Sequence, residues 1–257
     1  MTDRPSSVAF DRVAHEYDDT RGGEPRGRRY AELIAPHLPD GRLLEVGVGT
    51  GVIAFALQAR GRDVVGVDLS VPMLARARDR LGARVVQGDA QRLPFASASV
   101  DAAYCCWVLH LVADVGAVLA EVARVLRPGG RFVVLPSASQ PPRDADDAFA
   151  ARWWQVQGAL GGGHGRQDHP QRLRELAPAA GFRCAEVLDV PGEPLRQSPA
   201  ETIRQIESRT FSMLWDVTDA QWAEHVEPVL ADLRTQPDQD RPRTRETRVS
   251  VVLLDRA

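Results

Sequence analysis

LLEVGVGTG, residues 43–51, decides how the rest of the chain is read. An apolar run ends at Val46, glycines follow at positions 47, 49 and 51, and a helix-like segment, Val52–Arg60, starts directly behind them. A strand feeding a helix through so short a connection must turn sharply. Gly47 permits that turn, and Gly49 and Gly51 let the backbone approach a ligand with no Cβ in the way. The helix start behind the loop presents unpaired N–H groups and the positive end of a dipole, which favour a negative group. Working outward, VVGVDLS places Asp68 at the end of the next apolar run, 21 residues after Gly47. An acid about 20 residues past such a loop, at a neighbouring strand end, can accept both ribose hydroxyl protons.

The alternation continues on both sides. Short apolar runs at Leu43–Val46, Val64–Val67, Val85–Val86, Ala102–Cys106 and Phe132–Leu135 are separated by helix-like Val52–Arg60, Val71–Leu81 and Val115–Leu126. Such alternation predicts βαβ units and a parallel sheet of the α/β class. Continuous apolar strands suit a sheet covered on both faces. Phe182–Val190 and Thr247–Leu254 are two further strand candidates. Before the loop, Ser7–Asp18 has helical spacing (Phe10, Val13, Ala14, Tyr17), TRGGEPRG at 20–27 breaks it, and a second helix is predicted from Arg28 to Leu38. Two stretches look like additions. Residues 137–165 hold a helix with Phe149, Trp153, Val156 and Leu160, and residues 199–235 read as two helices, the first carrying Ile203, Ile206, Thr210, Met213 and Leu214. Ligands of open α/β sheets bind outside the carboxyl ends of the strands. Insertions after late strands can roof that crevice, so these segments are expected to form a cap.

Composition bounds the function. The 257 residues correspond to one large domain, or one with an added subdomain, at about 150 residues per domain. A net charge of −3 argues against a generic nucleic-acid binder. No run approaches the ~18 apolar residues of a membrane span, and MTDRPSSVAFDR lacks the apolar core of a signal peptide. Three cysteines without C-x-x-C spacing suit neither a disulfide framework nor a metal site, so a reducing cytoplasm is expected. All 32 basic residues are arginine, which removes Schiff-base lysine chemistry and the phosphate-loop lysine together.

The glycine spacing narrows the cofactor. A dinucleotide fingerprint is G-x-G-x-x-G, but the sixth position from Gly47 is Val52; the pattern is G-x-G-x-G with Glu45 two residues before it. Here the chain resembles the class I S-adenosylmethionine-dependent methyltransferases. Glu45, Gly47, Gly49 and Gly51 match the first motif of that family, and Asp68, followed by Leu69, matches its ribose acid. QGDAQRLPF, residues 87–95, resembles the third-strand motif, in which Asp89 and the Ala90 backbone would contact adenine; LRPGGRFVV, residues 126–134, resembles the turn before the fifth strand. FDRVAHEYDDTRGGEP is similar to the helix that closes over the cofactor in small-molecule members of the quinone-biosynthesis and natural-product type. There Tyr17 and Arg21 match positions that approach the methionyl end.

The resemblance implies a Rossmann-like, doubly wound, seven-stranded and mostly parallel sheet, its last strand antiparallel, with a helical cap from insertions. The chain is then a single domain over 1–257, with a core of about 28–136, 168–190 and 245–257 and a cap of about 1–27, 137–167 and 195–240. S-adenosylmethionine is the implied cofactor, S-adenosylhomocysteine the product, and a small molecule the implied acceptor. CCWVLHLV, residues 105–112, leaves the fourth strand where sulfonium and acceptor should meet. Trp107 could wall the cofactor or pack beneath the cap. His110 could take a proton from an acceptor hydroxyl, an imidazole titrating near 6.5, or it could be structural. His164 and His169 lack an acid or cysteine ligand at a persuasive spacing, so no metal is expected, and the arginines at 241–248 read as a solvated edge. Neither N/D-P-P-Y nor Pro-Cys follows the fourth strand, which speaks against DNA substrates. The alternatives are a non-catalytic S-adenosylmethionine-binding protein and a methyltransferase acting on a macromolecule. No nucleic-acid or membrane partner is expected; the methylated atom and the oligomeric state stay open.

Overall fold

Strands β1 (Arg42–Val46), β2 (Asp63–Asp68), β3 (Val85–Gln87), β4 (Val100–Cys106), β5 (Leu126–Leu135), β6 (Phe182–Pro191) and β9 (Arg248–Arg256) build one sheet in the order β3-β2-β1-β4-β5-β9-β6. In this computed structural model residues 10–11, 14–137, 156, 158–160, 167–215 and 217–257 are described. The inner strands pair in parallel, and β9 runs antiparallel to β5, with Phe132 opposite Leu254. The Rossmann-like, seven-stranded, mostly parallel α/β sheet expected from the sequence is therefore present. Strand order reverses between β1 and β4, so their carboxyl ends flank a crevice. The apolar runs are buried on both faces: Leu43, Leu44, Val46, Ala102, Ala103 and Tyr104 are all sealed from solvent.

Two compact units divide the chain: residues 1–137, 168–188 and 250–257, and residues 138–167 and 189–249. The first holds the sheet and helices α1 (Tyr17–Arg21), α2 (Gly23–Ile34), α3 (Val52–Gln58), α4 (Val71–Leu81), α5 (Val115–Val125) and α6 (Pro170–Leu176). Asp114 caps α5 and Ser70 caps α4 through side chains that accept the amides of Ala117 and Met73. The second unit holds α7 (Pro199–Glu207), α8 (Glu227–Thr235) and a short antiparallel ribbon of β7 (Leu195–Gln197) and β8 (Arg243–Arg245). Val156, Ile206, Leu214, Val226, Val229, Leu230 and Leu233 form its own apolar cluster. Among the described residues no helix is long and apolar enough to cross a membrane.

Several boundaries differ from the sequence reading. The helix expected from Arg28 starts at Gly23, because Pro25 lies in the first turn, where its missing N–H costs nothing; Gly22, at φ +83°, marks the break. Of the helix expected over Ser7–Asp18, Phe10 and Asp11 are helical. Residues 14–16 form a turn, α1 covers Tyr17–Arg21, and Val8 and Val13 lie outside the described residues. Leu126 already pairs with Val100, yet Ala102 pairs with Arg131, so residues 127–130 are extruded from β5 rather than preceding it. Thr210, Met213 and Leu214 are not on α7, which ends at Glu207. Arg209 adopts φ +50° there, and its guanidinium donates to the carbonyls of Leu214 and Val217 while stacking 4.8 Å from the Trp222 ring. The ribbon β7–β8 was not foreseen: three residues are too few for a periodic signal. Phe149, Trp153, Trp154 and His164 lie outside the described residues.

At the end of β6, Gly192 donates its amide to the Thr247 carbonyl at 2.7 Å, and the Thr247 hydroxyl donates to the Glu193 carbonyl at 2.7 Å.

Candidate cofactor and acceptor site

The glycine loop is built by hydrogen bonds to β2. Gly47 and Val48 both donate their amides to the Val67 carbonyl, at 2.8 and 2.9 Å. Gly47 and Gly49 adopt φ +74° and +54°, in the left-handed region that disfavours side chains. A Cβ on Gly49 would meet nothing within 4 Å, so the loop backbone there borders open space. Beside it, Asp68 at the tip of β2 accepts the Gly49 amide on Oδ2 at 2.7 Å and the Ser70 amide on Oδ1 at 2.9 Å. Burial pushes the Asp68 carboxyl above its ordinary range, while the Ser70 and Gly49 amides pull it back. Each carboxylate oxygen keeps a further lone pair for a ligand. Leu69, the next residue, is largely exposed.

Glu45 is buried, with 2% exposure. Its Oε2 accepts the Ala54 amide at 3.1 Å and the Tyr104 hydroxyl at 3.0 Å. Ala54 is the third residue of α3, whose N-cap is Gly51 and therefore has no side chain to satisfy the orphan amides. The carboxyl of Glu45, reaching across from β1, takes over that role. Burial raises its pKa to about 8, against the lowering effect of the Tyr104 and Ala54 bonds. It thus joins β1, β4 and α3 where the loop is anchored.

The N-terminal segment is fastened to this loop. Asp18 of α1 accepts the Thr50 hydroxyl at 2.6 Å and an Arg80 guanidinium N–H at 2.7 Å, and Arg80 also donates to the Thr50 carbonyl at 2.9 Å. Ser70 donates its hydroxyl to Asp11 at 2.6 Å, and Arg76 donates to the His15 carbonyl at 2.6 Å. Tyr17 packs 6.3 Å from the Phe10 ring, and burial holds the Arg21 guanidinium below its ordinary pKa. Sequence reasoning singled out Tyr17 and Arg21 but missed Asp18, Thr50 and Arg80.

Past β4, Trp107 adopts φ +57°, a sparsely populated conformation for a bulky residue. Its ring meets Tyr30 edge-on with centroids 4.5 Å apart and lies 3.9 Å beneath the Arg26 guanidinium. Trp107 therefore packs against α2. His110 sits in the 3₁₀ turn Leu109–Leu111, with its Nδ1 3.7 Å from Oδ2 of Asp168, a residue the sequence reading did not single out. Asp89, past the end of β3, is exposed; its Oδ1 accepts the Gln91 amide at 2.8 Å, and Ala90 is half-buried beside it. His169 caps α6, its Nδ1 accepting the Gln171 amide.

A glycine loop at a helix start, with an anchored acid at the adjoining strand tip and the strand order 3-2-1-4-5-7-6 counted over the seven strands of the main sheet, defines a nucleoside-cofactor enzyme of the doubly wound class. A family model described as methyltransferase domain matches residues 44–134. The demethylmenaquinone methyltransferase of Thermus thermophilus is 32% identical over 200 residues, covering 67% of this chain and 90% of that protein. The demethylmenaquinone methyltransferase of a Mycobacterium species is 43% identical over 137 residues, covering 51% of this chain and 59% of that protein. The chain spans 26% to 63% of the length of several other curated relatives it matches. The fold is shared with geranyl diphosphate C-methyltransferase from Streptomyces coelicolor, with a TM-score of 0.51 and 21% identity over 89% of this chain and 78% of that one. The chain belongs to the S-adenosylmethionine-dependent methyltransferases. The open space at Gly49 beside the anchored Asp68 fits the adenosyl group of that cofactor.

Proposed function

We propose that this enzyme methylates a small-molecule acceptor. The observation that carries the reading is the pairing of Asp68, held by the Gly49 and Ser70 amides, with the open ground above Gly49. In this reading Asp68 accepts the ribose hydroxyls, Leu69 lies beside them, and Asp89 with the Ala90 backbone contacts adenine. Gly49 gives close backbone approach; Gly47 and Gly51 instead keep the loop compact, since a Cβ on them would run into Val108 and Leu81, contrary to the ligand-facing role expected for Gly51. Glu45 anchors that loop, and Tyr17 and Arg21 approach the methionyl end. When bound, S-adenosylmethionine supplies a methyl group on a positively charged sulfur, already activated for transfer. The work left to the chain is to align the acceptor and exclude water, which can lower a barrier by several kcal/mol. Trp107, fixed by Tyr30 and Arg26, gives the fourth-strand end of the crevice a rigid aromatic wall. His110, in the turn directly after that strand, takes the acceptor's proton.

The names of the relatives support a small acceptor: demethylmenaquinone in one case and geranyl diphosphate in another. A cytoplasmic location goes with the free cysteines, two of which, Cys105 and Cys106, are buried. The test is a thermal shift followed by an acceptor screen. Ligand at 100 times its dissociation constant adds about 2.7 kcal/mol, which at roughly 2–4 °C per kcal/mol raises the melting temperature by about 5–11 °C. S-adenosylmethionine and S-adenosylhomocysteine should both give that shift, and a quinol or phenolic library should yield S-adenosylhomocysteine. A shift with NAD and none with either adenosyl ligand would overturn the reading.

A further inference from the structure

Asp168 lies 58 positions beyond His110 in the chain, on a segment that re-enters the first unit just before α6. Its side chain is fully buried, and that of His110 is 13% exposed. Oδ2 of Asp168 stands 3.7 Å from Nδ1 of His110 and accepts the amide of Ser137, two residues past the end of β5. Three connections, after β4, after β5 and before α6, thus meet at the carboxyl end of the sheet. Asp168 is not the N-cap of α6, because the neighbouring His169 performs that task. A carboxylate without solvent contact is costly unless it is paired and hydrogen-bonded. Among the described residues, the buried Cys105 thiol of β4 is a further titratable group in its field. Burial, and then the Asp168 charge, push that thiol well above its ordinary pKa, so it stays neutral and does not compete for the carboxylate.

We propose that Asp168 is a positioning residue for His110: it holds the proton on Nδ1 and leaves Nε2 as the basic nitrogen. This rests on the reading of His110 as the proton acceptor. In that step the acceptor's proton moves to Nε2, its electron pair stays on the acceptor atom, and the imidazolium that forms lies beside the Asp168 charge. The proton returns to solvent from Nε2. At 3.7 Å the two groups stand at ion-pair distance, and the hydrogen bond that fixes the tautomer forms when the ring closes by about half an ångström in the loaded enzyme. A carboxylate so placed orients an imidazole and stabilises its cationic form without taking the proton itself.

Long-range ¹H–¹⁵N spectra of protein labelled with ¹⁵N-histidine test this without knowing the acceptor. The His110 signals are assigned by their loss in His110→Gln. The expected result is a neutral His110 protonated on Nδ1, with a pKa that falls by about 1–2 units in Asp168→Asn, while the melting temperature stays within a few degrees. A wild-type His110 protonated on Nε2 would overturn the proposal, as would an unmoved pKa in a folded Asp168→Asn. The wild-type tautomer decides the matter alone if that variant does not fold. Calorimetric binding of S-adenosylhomocysteine to the same wild-type sample separates the two levels. Failure to bind would remove the methyltransfer reading, whereas a wrong tautomer with normal binding would remove only the role of Asp168.

Discussion

Replacing Glu45 with glutamine removes a charge and changes almost no volume, and its effect is expected to depend on pH. The folded carboxyl titrates at about 8 and its ordinary value is 4.5. The folded pKa is the higher one, so Glu45 contributes its full stability below about pH 4.5, and the contribution is lost as pH rises through about 8. One pKa unit corresponds to about 1.36 kcal/mol. Between pH 6 and pH 9 the wild type should therefore lose roughly 2–3 kcal/mol that Glu45→Gln does not lose. Glutamine can still accept from the Tyr104 hydroxyl and the Ala54 amide through its carbonyl. Its second N–H brings a penalty of about 1–3 kcal/mol if it stays unpaired, but that offset is the same at every pH. Urea denaturation of both proteins at pH 6, 7.5 and 9 gives the stability gap directly. The gap should move in favour of the variant as pH rises. A gap constant across this range would refute the assignment of a neutral, buried carboxyl to Glu45.

Asp68→Ala should weaken S-adenosylhomocysteine binding by about tenfold to a hundredfold, a hydrogen bond to a charged group being worth about 1.5–3 kcal/mol; calorimetry with unchanged affinity would contradict the ribose role. Gly49→Ala should cost about 1–2 kcal/mol from its positive φ and lower affinity for the same ligand further, since the new methyl group enters the open cradle; melting curves and calorimetry on one preparation check both. Asp18→Ala leaves Arg80 and the Thr50 hydroxyl without their shared acceptor, so a stability loss of about 1–3 kcal/mol and faster proteolysis before residue 23 are expected. His110→Ala should reduce turnover by about 10²–10⁴ with S-adenosylhomocysteine affinity nearly unchanged, read by single-turnover rates with an acceptor from the screen.

The glycine loop and the acids at the strand tips were legible because each is a local feature of the sequence. The glycine loop, Asp68 and Asp89 each sit at the end of a strand that apolar runs mark out, and a sheet of parallel strands brings those ends together. Groups that depend on tertiary approach left no such trace. Arg80 and Asp18 are 62 residues apart, and nothing in either segment announces the other. Asp168, in HGRQDHP, looks like a turn acid; its burial is decided by how the chain returns after residue 167. The left-handed backbone of Trp107 was equally silent, since tryptophan carries no turn signal. Glycine and proline misled in one place: GGEP suggested a break through residue 27, whereas Gly22 and Gly23, both at positive φ, make the turn and Pro25 is absorbed into the first turn of α2.

The bond from Gly192 to Thr247 makes the intervening stretch a closed excursion that starts just past β6 and ends just before β9. A segment tethered in this way can lengthen, shorten or be traded for another while β6 and β9 keep their places. It lies wholly outside residues 44–134, the part matched by the family model. Replacing it by a hairpin of two or three residues between Gly192 and Thr247, or by the corresponding excursion of a relative, would show how much of the chain's individuality resides there.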